Sequence, residues 1–373
     1  MNQKIKKIAI FHQFLDNIGG AEILTFTLAK EFNADIYTTN IDPEKITKMG
    51  FSSIIPKIKS IGKIPLKAPF RHQMALRRFR NLNLKNKYDY YIISGDWAIS
   101  GAHQNGPTLW YVHSPCRELW DLKNYVKKNI VKPYQRPIYD LWTGFNRWLH
   151  PKYIKKINKV VCNSKNTQDR LNKFLNIKAE IVHPPIDCSK YKYKEHKNYW
   201  LSVNRLLAHK QIEIQIKAFQ KLPEENLIII GSYEKNARQF ESYKSYLKKI
   251  KPENVKIISW VSDQELKKFY SECKGFIATA KDEDFGMSPV EAMASGKPVI
   301  AGNEGGYKET IIDGKTGYLI DDINEEKLVN TIKTLNEELK DEKMILRYKK
   351  ECQKRAKEFD AGIFIEKIKE KIK

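Results

Sequence analysis

Short apolar runs alternate with helical segments along almost the whole chain, a pattern that restricts the fold to the α/β class with parallel sheets. In the first part the runs are KIAIFHQF, DIYTTN, YDYYIISG, TLWYVHS, KVVCNS and EIVHP. Most are apolar on both faces, as strands covered by helices on either side must be. The pattern breaks at 183–200, HPPIDCSKYKYKEHKNYW, which is Pro-led, charged and aperiodic and reads as a linker. It then restarts: YWLSVNRL, QIEIQIKAFQKL, NLIIIGS, VKIISWV, SDQELKKFYSEC, GFIATA, PVEAMAS and KPVIAG. Ser262 and Glu265 form a capping box that starts one of these helices, and the tail from Glu325 is helical and charged. At 373 residues the chain suits two domains of roughly 180 residues each. The economical reading is two Rossmann-like domains, 1–185 and 186–357, with a helix at about 358–373 packing back on the first.

Composition narrows the function classes. A content of 41% hydrophobic residues allows sizeable cores and excludes a disordered chain. The five cysteines are scattered without a CxxC pair, so neither a disulfide framework nor a zinc site is expected. No apolar stretch approaches a spanning helix, and the expectation is a cytoplasmic protein in a reducing compartment. Charge is uneven: residues 1–187 carry 31 Lys and Arg against 14 Asp and Glu, a net +17 of the total +23. Residues 45–87 hold twelve basic residues and no acidic one, interspersed with Ile54, Ile55, Ile61, Ile64, Leu66, Phe70 and Leu76. A Lys-rich surface accounts for the cations but not for the missing acids. The mixture is compatible with docking on an anionic bilayer. Residues 122–159 hold ten basic residues and one acid, with Ile138, Leu141, Trp142, Phe145, Trp148 and Leu149 at helical spacing. That spacing favours a helix whose aromatic face packs on the core. Nucleic acid is not an expected partner, since no reading motif accompanies the charge.

The chemistry concentrates in EDFGMSPVE (283–291), two carboxylates eight residues apart around a Phe-Gly step and a helix start. Ser288 with Glu291 reads as a capping box and Pro289 as the first helical residue, which by itself gives Glu291 a structural task. Glu283, by contrast, sits on a loop after a buried strand, where ligands of open α/β sheets bind. The amides near Gly286–Ser288 point at the same place and favour a phosphate. Asp282-Glu283-Asp284 could also be taken as a D-x-D metal site, but no metal is expected. Arg205 and Lys210 follow another strand, five residues apart. Gly19-Gly20 precedes a helix after the first strand without G-x-G-x-x-G spacing, so a nicotinamide site is rejected. His113 ends an apolar strand.

The run EDFGMSPVEAMASGKPVIA, trailed by Gly305-Gly306, resembles the E-x7-E signature of retaining nucleotide-sugar glycosyltransferases of the GT-B fold, family four. The resemblance covers nearly the whole chain, is strongest from 199 to 320, and implies two Rossmann-like domains facing across a cleft. It implies that Glu283 contacts hydroxyls of the transferred sugar and Glu291 the ribose hydroxyls. Amides from Phe285, Gly286, Met287 and Ser288 would contact sugar and diphosphate. Arg205 and Lys210 would bind the diphosphate, Gly19 and Gly20 would approach it, and His113 would lie beside the sugar's 6-position. Gly231-Ser232 and Trp260-Val261 match loops lining the nucleotide, and Asn163-Ser164 falls on a loop on the cleft side. SPCRELWD after His113 resembles bacterial O-antigen mannosyltransferases of the family, which favours GDP-mannose as donor.

The implied activity is hexosyl transfer with retention, from a nucleotide-sugar donor to a glycan or lipid-linked acceptor in cell-surface polysaccharide or glycolipid synthesis. No cofactor is expected. The enzyme would work in the cytoplasm, at the inner face of the membrane if the basic face docks there. A sugar-nucleotide epimerase of the same fold is the alternative, and a basic nucleic-acid-binding protein a weaker one.

Overall fold

The alternation seen in the sequence builds two separate parallel sheets. The computed structural model describes residues 6–17, 19–67, 70–232, 238–259 and 261–373. The chain divides at His183/Pro184 and again at Phe364/Ile365, so that the last nine residues belong to the N-terminal unit.

Among the described residues the N-terminal sheet has seven strands: β1 (Ile8–Phe11), β2 (Asp35–Thr38), β3 (Ile58–Ser60), β4 (Tyr90–Ile93), β5 (Thr108–Val112), β6 (Lys159–Cys162) and β7 (Glu180–Ile181). Their order is β3-β2-β1-β4-β5-β6-β7, with parallel pairing throughout. The C-terminal sheet has β8 (Trp200–Arg205), β9 (Leu227–Ser232), β10 (Val255–Ile258), β11 (Phe276–Ala278), β12 (Val299–Gly302) and β13 (Gly317–Ile320), ordered β10-β9-β8-β11-β12-β13. β1, β4, β5 and β12 are buried at every position, which explains their uninterrupted apolar sequences. In each sheet the strand order reverses beside the first strand, at β1/β4 and at β8/β11. The crevice beyond the strand ends at such a reversal is where this architecture binds ligands.

β3 and β13 escape the sequence pattern. β3 is a three-residue edge strand, largely exposed within the basic stretch, and β13 opens on Gly317. Their pairing with β2 and β12 defines them, rather than their own composition.

The cores are aromatic-rich. Phe11, Phe79, Tyr91 and Trp110 fill the first, and Trp200, Phe219, Tyr270, Phe276, Tyr307 and Tyr348 the second. The segment read as a linker is ordered against the second unit from Pro184 onward. Lys194 N donates to Ser271 O (3.1 Å), Lys197 N to Glu272 O (2.7 Å), and the Tyr191 ring meets Tyr270 edge-on at 5.8 Å. At the C-terminus, Ile365, Ile368 and Ile372 are buried, Lys369 pairs with Glu31 (2.6 Å) and Lys371 with Glu180 (2.5 Å).

Burial within the two basic stretches differs in part from what their sequences suggest. Within 45–87, Ile54, Ile64 and Leu76 are buried, and among the apolar residues named there only Leu66 and Phe70 are strongly exposed. In the helix Arg136–Ile154 the core-facing side carries Thr143, Asn146, His150 and Tyr153 together with Trp142 and Leu149, which pack against the first core, whereas Ile138, Leu141, Phe145 and Trp148 turn outward.

Candidate active site

In the C-terminal unit, the segments following β8 and β11 are tied together by a backbone and a side-chain hydrogen bond. Lys281 N donates to His209 O (2.8 Å), and Thr279 Oγ1 donates to Lys210 O (2.9 Å). This brings the Lys210 ammonium onto the Glu283 carboxylate as a direct hydrogen-bonded ion pair, with side chains 14% and 16% exposed. Burial pushes the Glu283 carboxyl up, but Lys210, then His209 and Arg205, outweigh it and hold it below its ordinary value. Glu283 is therefore a carboxylate at neutral pH. Arg205 lies exposed at the end of β8 within electrostatic reach of it.

The Glu283 loop is held by close main-chain contact. Gly306 N donates to Glu283 O (2.8 Å), and a Cβ on Gly305 would lie 2.5 Å from that same oxygen. Gly305 also has φ +57°, so both space and conformation select glycine there. Gly286 has φ +89° and caps the helix Met287–Ala294, with the Tyr307 ring where a Cβ would stand. Phe285 turns its ring into the core against Phe359, at 5.4 Å between centroids, which leaves its backbone toward the loop.

The capping box expected at Ser288 and Glu291 does not form. Gly286 is the N-cap, Pro289 is the third helical residue, and Glu291 lies a turn inside. Its carboxylate instead accepts from the buried Tyr270 hydroxyl at 2.6 Å and from Tyr191. Burial raises the Glu291 carboxyl, the two phenols lower it, and the net shift is upward. Neither tyrosine carries a local signal. Tyr270 arrives on the helix Asp263–Glu272 and Tyr191 from the segment that looked like a linker.

Gly231 pairs with Asn204 beside Arg205, and a Cβ there would lie 2.4 Å from the Leu206 side chain, so packing itself selects glycine. Val261 follows β10, half-buried against the second core. Its neighbour Trp260 lies outside the described residues. The Ser262–Glu265 capping box is present, with Glu265 N to Ser262 Oγ at 3.2 Å.

Gly19, Gly20 and His113 belong to the N-terminal unit, at the ends of β1 and β5. Gly19 is the extended N-cap of the helix Gly20–Glu31, and a Cβ on it would lie 2.8 Å from the Glu22 carboxylate. That carboxylate faces His12 Nε2 at 3.7 Å. A buried chain of polar atoms follows: His12 Nδ1 to Thr25 Oγ1 (3.2 Å), Thr25 Oγ1 to Ser94 Oγ (2.9 Å), and Ser94 Oγ to His113 Nε2 (3.0 Å). Four side chains, Glu22, His12, Thr25 and Ser94, thus run from the Gly-Gly loop to His113 at the β1/β4 reversal. His12 and Ser94 end adjacent apolar strands and were not singled out from sequence. Asn163 Nδ2 donates to His113 O (2.7 Å), while Ser164 caps the helix Lys165–Leu175. Asn163-Ser164 therefore braces the histidine's backbone.

Among the described residues no cluster of three or more His, Cys, Asp or Glu is placed to hold a metal ion. Asp282 has φ +51° and donates its amide to Glu304 (3.2 Å).

Residues 187–357 match the family described as glycosyl transferases group 1, and residues 18–190 match glycosyltransferase family 4. The chain is 26% identical over 377 residues to the alpha-1,3/1,6-mannosyltransferase ALG2 of Dictyostelium discoideum, covering 85% of this chain and 87% of that protein. It is 26% identical over 256 residues to the O-antigen chain mannosyltransferase RfbU of Salmonella typhimurium, covering 61% and 72% respectively. Among solved structures, HepE of Anabaena in complex with UDP-glucose superimposes with a TM-score of 0.73 at 17% identity. That match covers 98% of this chain and 99% of that one, a likeness of fold.

Proposed function

The chain belongs to the family 4, group 1 glycosyltransferases, and on that premise we propose that it transfers a hexose, with mannose favoured, from a nucleotide diphosphate sugar to a glycan or lipid-linked glycan, retaining the anomeric configuration. The observation that carries the site assignment is the Lys210–Glu283 pair with Arg205 beside it, at the β8/β11 reversal. A carboxylate kept ionised by cations is suited to accept hydrogen bonds from sugar hydroxyls. The same cations suit a diphosphate. As the bond between sugar and phosphate lengthens, charge grows on the leaving diphosphate, and fixed cations stabilise it more in the transition state than before.

In the reaction, the acceptor hydroxyl attacks the anomeric carbon from the side of the departing phosphate and gives its proton to that phosphate. On the C-terminal unit, Arg205, Lys210 and the amides of Gly286, Met287 and Ser288 are assigned to the leaving group; on the N-terminal unit, the amides of Gly19 and Gly20 are assigned to a diphosphate. Glu283 orients the sugar and Glu291 the ribose. His113, fixed by Ser94, serves the sugar's 6-position. Gly231 and Val261 line the nucleotide. No metal or cofactor is assigned a part.

The similarity to ALG2 and RfbU supports mannose and a lipid-linked or polysaccharide acceptor. We place the enzyme at the inner face of the membrane, with no nucleic-acid partner. The test is a thermal-shift screen against GDP-mannose, UDP-glucose and UDP-GlcNAc, followed by transfer of labelled sugar from the donor that binds to a polyprenol-linked glycan. Transfer with retention is expected. Donor binding with epimerisation or hydrolysis and no transfer to any acceptor would overturn the reading.

A further inference from the structure

The helix Arg136–Ile154 packs one face on the first core and turns a second apolar stripe to water. Its inward face mixes Thr143, Asn146 and His150 with Trp142, Leu149 and Tyr153, and Asn146 Oδ1 accepts from Gln73 Nε2 at 2.7 Å. Its outward face carries Ile138, Leu141, Phe145 and Trp148, which are 66%, 76%, 50% and 58% exposed. The spacing of three, four and three residues sets these four side chains along one stripe of a helix about 28 Å long. Tyr134, at 70% exposure, continues the stripe toward the preceding turn. A contiguous row of large apolar side chains facing water marks an interaction surface.

Cations flank the stripe. Lys128, Lys132, Lys152, Lys155 and Lys156 are exposed around it. The Lys152 ammonium lies 3.1 Å from the centroid of the Trp148 ring, and Lys132 lies 5.7 Å from that of Tyr134. Asp140, the acid within 122–159, is already paired with Lys123 at 3.1 Å and with Lys127 at 2.5 Å. A second copy of the chain would bring the same cations against this face and be repelled. An anionic bilayer complements both features, taking apolar side chains into the acyl boundary and lysines into the headgroup layer. Trp and Tyr beside Lys suit that boundary. Among the described residues no helix is long and apolar enough to cross a membrane, so this helix would lie in the plane of the interface.

We propose that Ile138, Leu141, Phe145 and Trp148 form the insertion face by which this enzyme docks on an anionic bilayer. This surface replaces residues 45–87 as the membrane contact. It draws on the proposed lipid-linked acceptor only for its purpose, since vesicle binding is measurable without any donor.

The test is co-sedimentation of the full chain with phosphatidylcholine vesicles, with and without about 30% phosphatidylglycerol. Binding should be at least about tenfold stronger with the anionic lipid and fall steeply as salt is raised from about 0.1 M to about 0.5 M. The combined variant Ile138→Ser, Leu141→Ser, Phe145→Ser, Trp148→Ser should lose at least about tenfold of that binding, because its apolar insertion is gone. Its melting temperature and nucleotide affinity should be unchanged. As a second readout, Trp148 fluorescence should be quenched by brominated lipid, and Trp148→Phe should remove that quenching. Undiminished vesicle binding by the fourfold variant would overturn the proposal. So would a wild-type dimer that this variant converts to monomer without any vesicle binding. Vesicle binding without sugar transfer would refute the proposed activity and leave this surface standing.

Discussion

Replacing Glu283 by Gln removes a charge, keeps the shape, and separates the two tasks that meet at this residue. The Lys210–Glu283 pair is largely, though not fully, withdrawn from water, and Arg205 and His209 also act on the carboxylate. Removing one partner of such a pair costs less than for a fully buried one, about 1–2 kcal/mol. For a chain of this size that corresponds to a fall in melting temperature of about 3–6 °C. The effect on chemistry should be larger. A carboxylate whose hydrogen bonds to the sugar strengthen as the anomeric carbon becomes cationic contributes about 100- to 1000-fold to turnover. Nucleotide affinity should move the other way, since Lys210 relieved of its carboxylate attracts a diphosphate at least as strongly. The assay is kcat and KM for donor in the transfer reaction, with calorimetric binding of the nucleoside diphosphate alongside thermal melting. Turnover within about threefold of wild type, with the melting temperature lowered, would show the pair to be structural and sink the catalytic reading. A tenfold loss of nucleotide affinity at unchanged turnover would place Glu283 on the wrong part of the donor.

Other substitutions probe the remaining groups. Glu291 has a raised pKa, so its ionised form opposes folding increasingly as pH rises from the ordinary glutamate range through its folded value. Glu291→Gln, which keeps an acceptor for Tyr270, should equal or exceed wild type in melting temperature at pH 7 while weakening nucleotide binding about 10- to 100-fold. Ser94→Ala removes the partner of His113 Nε2 beneath the Gly-Gly loop. Turnover should fall and its pH profile shift, with nucleotide affinity in the C-terminal unit unchanged, as read from kcat against pH. His150 is pushed down to about 4, by burial first and then by His72. The folded state resists its protonation, so stability falls as pH drops from about 6.5 through about 4, by about 3 kcal/mol in all. Urea titrations at pH 7 and pH 4 should show that loss, and His150→Gln should flatten it.

Parallel strands and sheet-covering helices write themselves locally. Strands buried on both faces need continuous apolar residues, so β1, β4, β5 and β12 are apparent one by one. The segment from Glu283 to Gly306 is legible for a similar reason, because its glycines answer to nearby backbone: Gly286 to its φ, Gly305 and Gly306 to the Glu283 loop. Edge strands such as β3 are not legible, since three half-exposed residues gain strand character only from a neighbour.

What the sequence alone determined is the two-sheet architecture, the carboxylates and cations of the candidate site, and the family resemblance. What only the tertiary structure decided is which atoms meet. Ser288 and Glu291 satisfy a capping pattern on paper, yet Gly286 takes the cap and two distant tyrosines take the carboxylate. His12, Thr25 and Ser94 lie far apart along the chain but converge beneath the Gly-Gly loop because β1 and β4 are neighbours at the strand reversal. The stripe from Ile138 to Trp148 shows the same limit. Periodicity reveals apolar residues at helical spacing, but only packing reveals that Trp142 and Leu149 turn inward beside Asn146 while Ile138, Leu141, Phe145 and Trp148 turn to water. Helical period is a property of the local chain, whereas orientation depends on partners that the fold supplies.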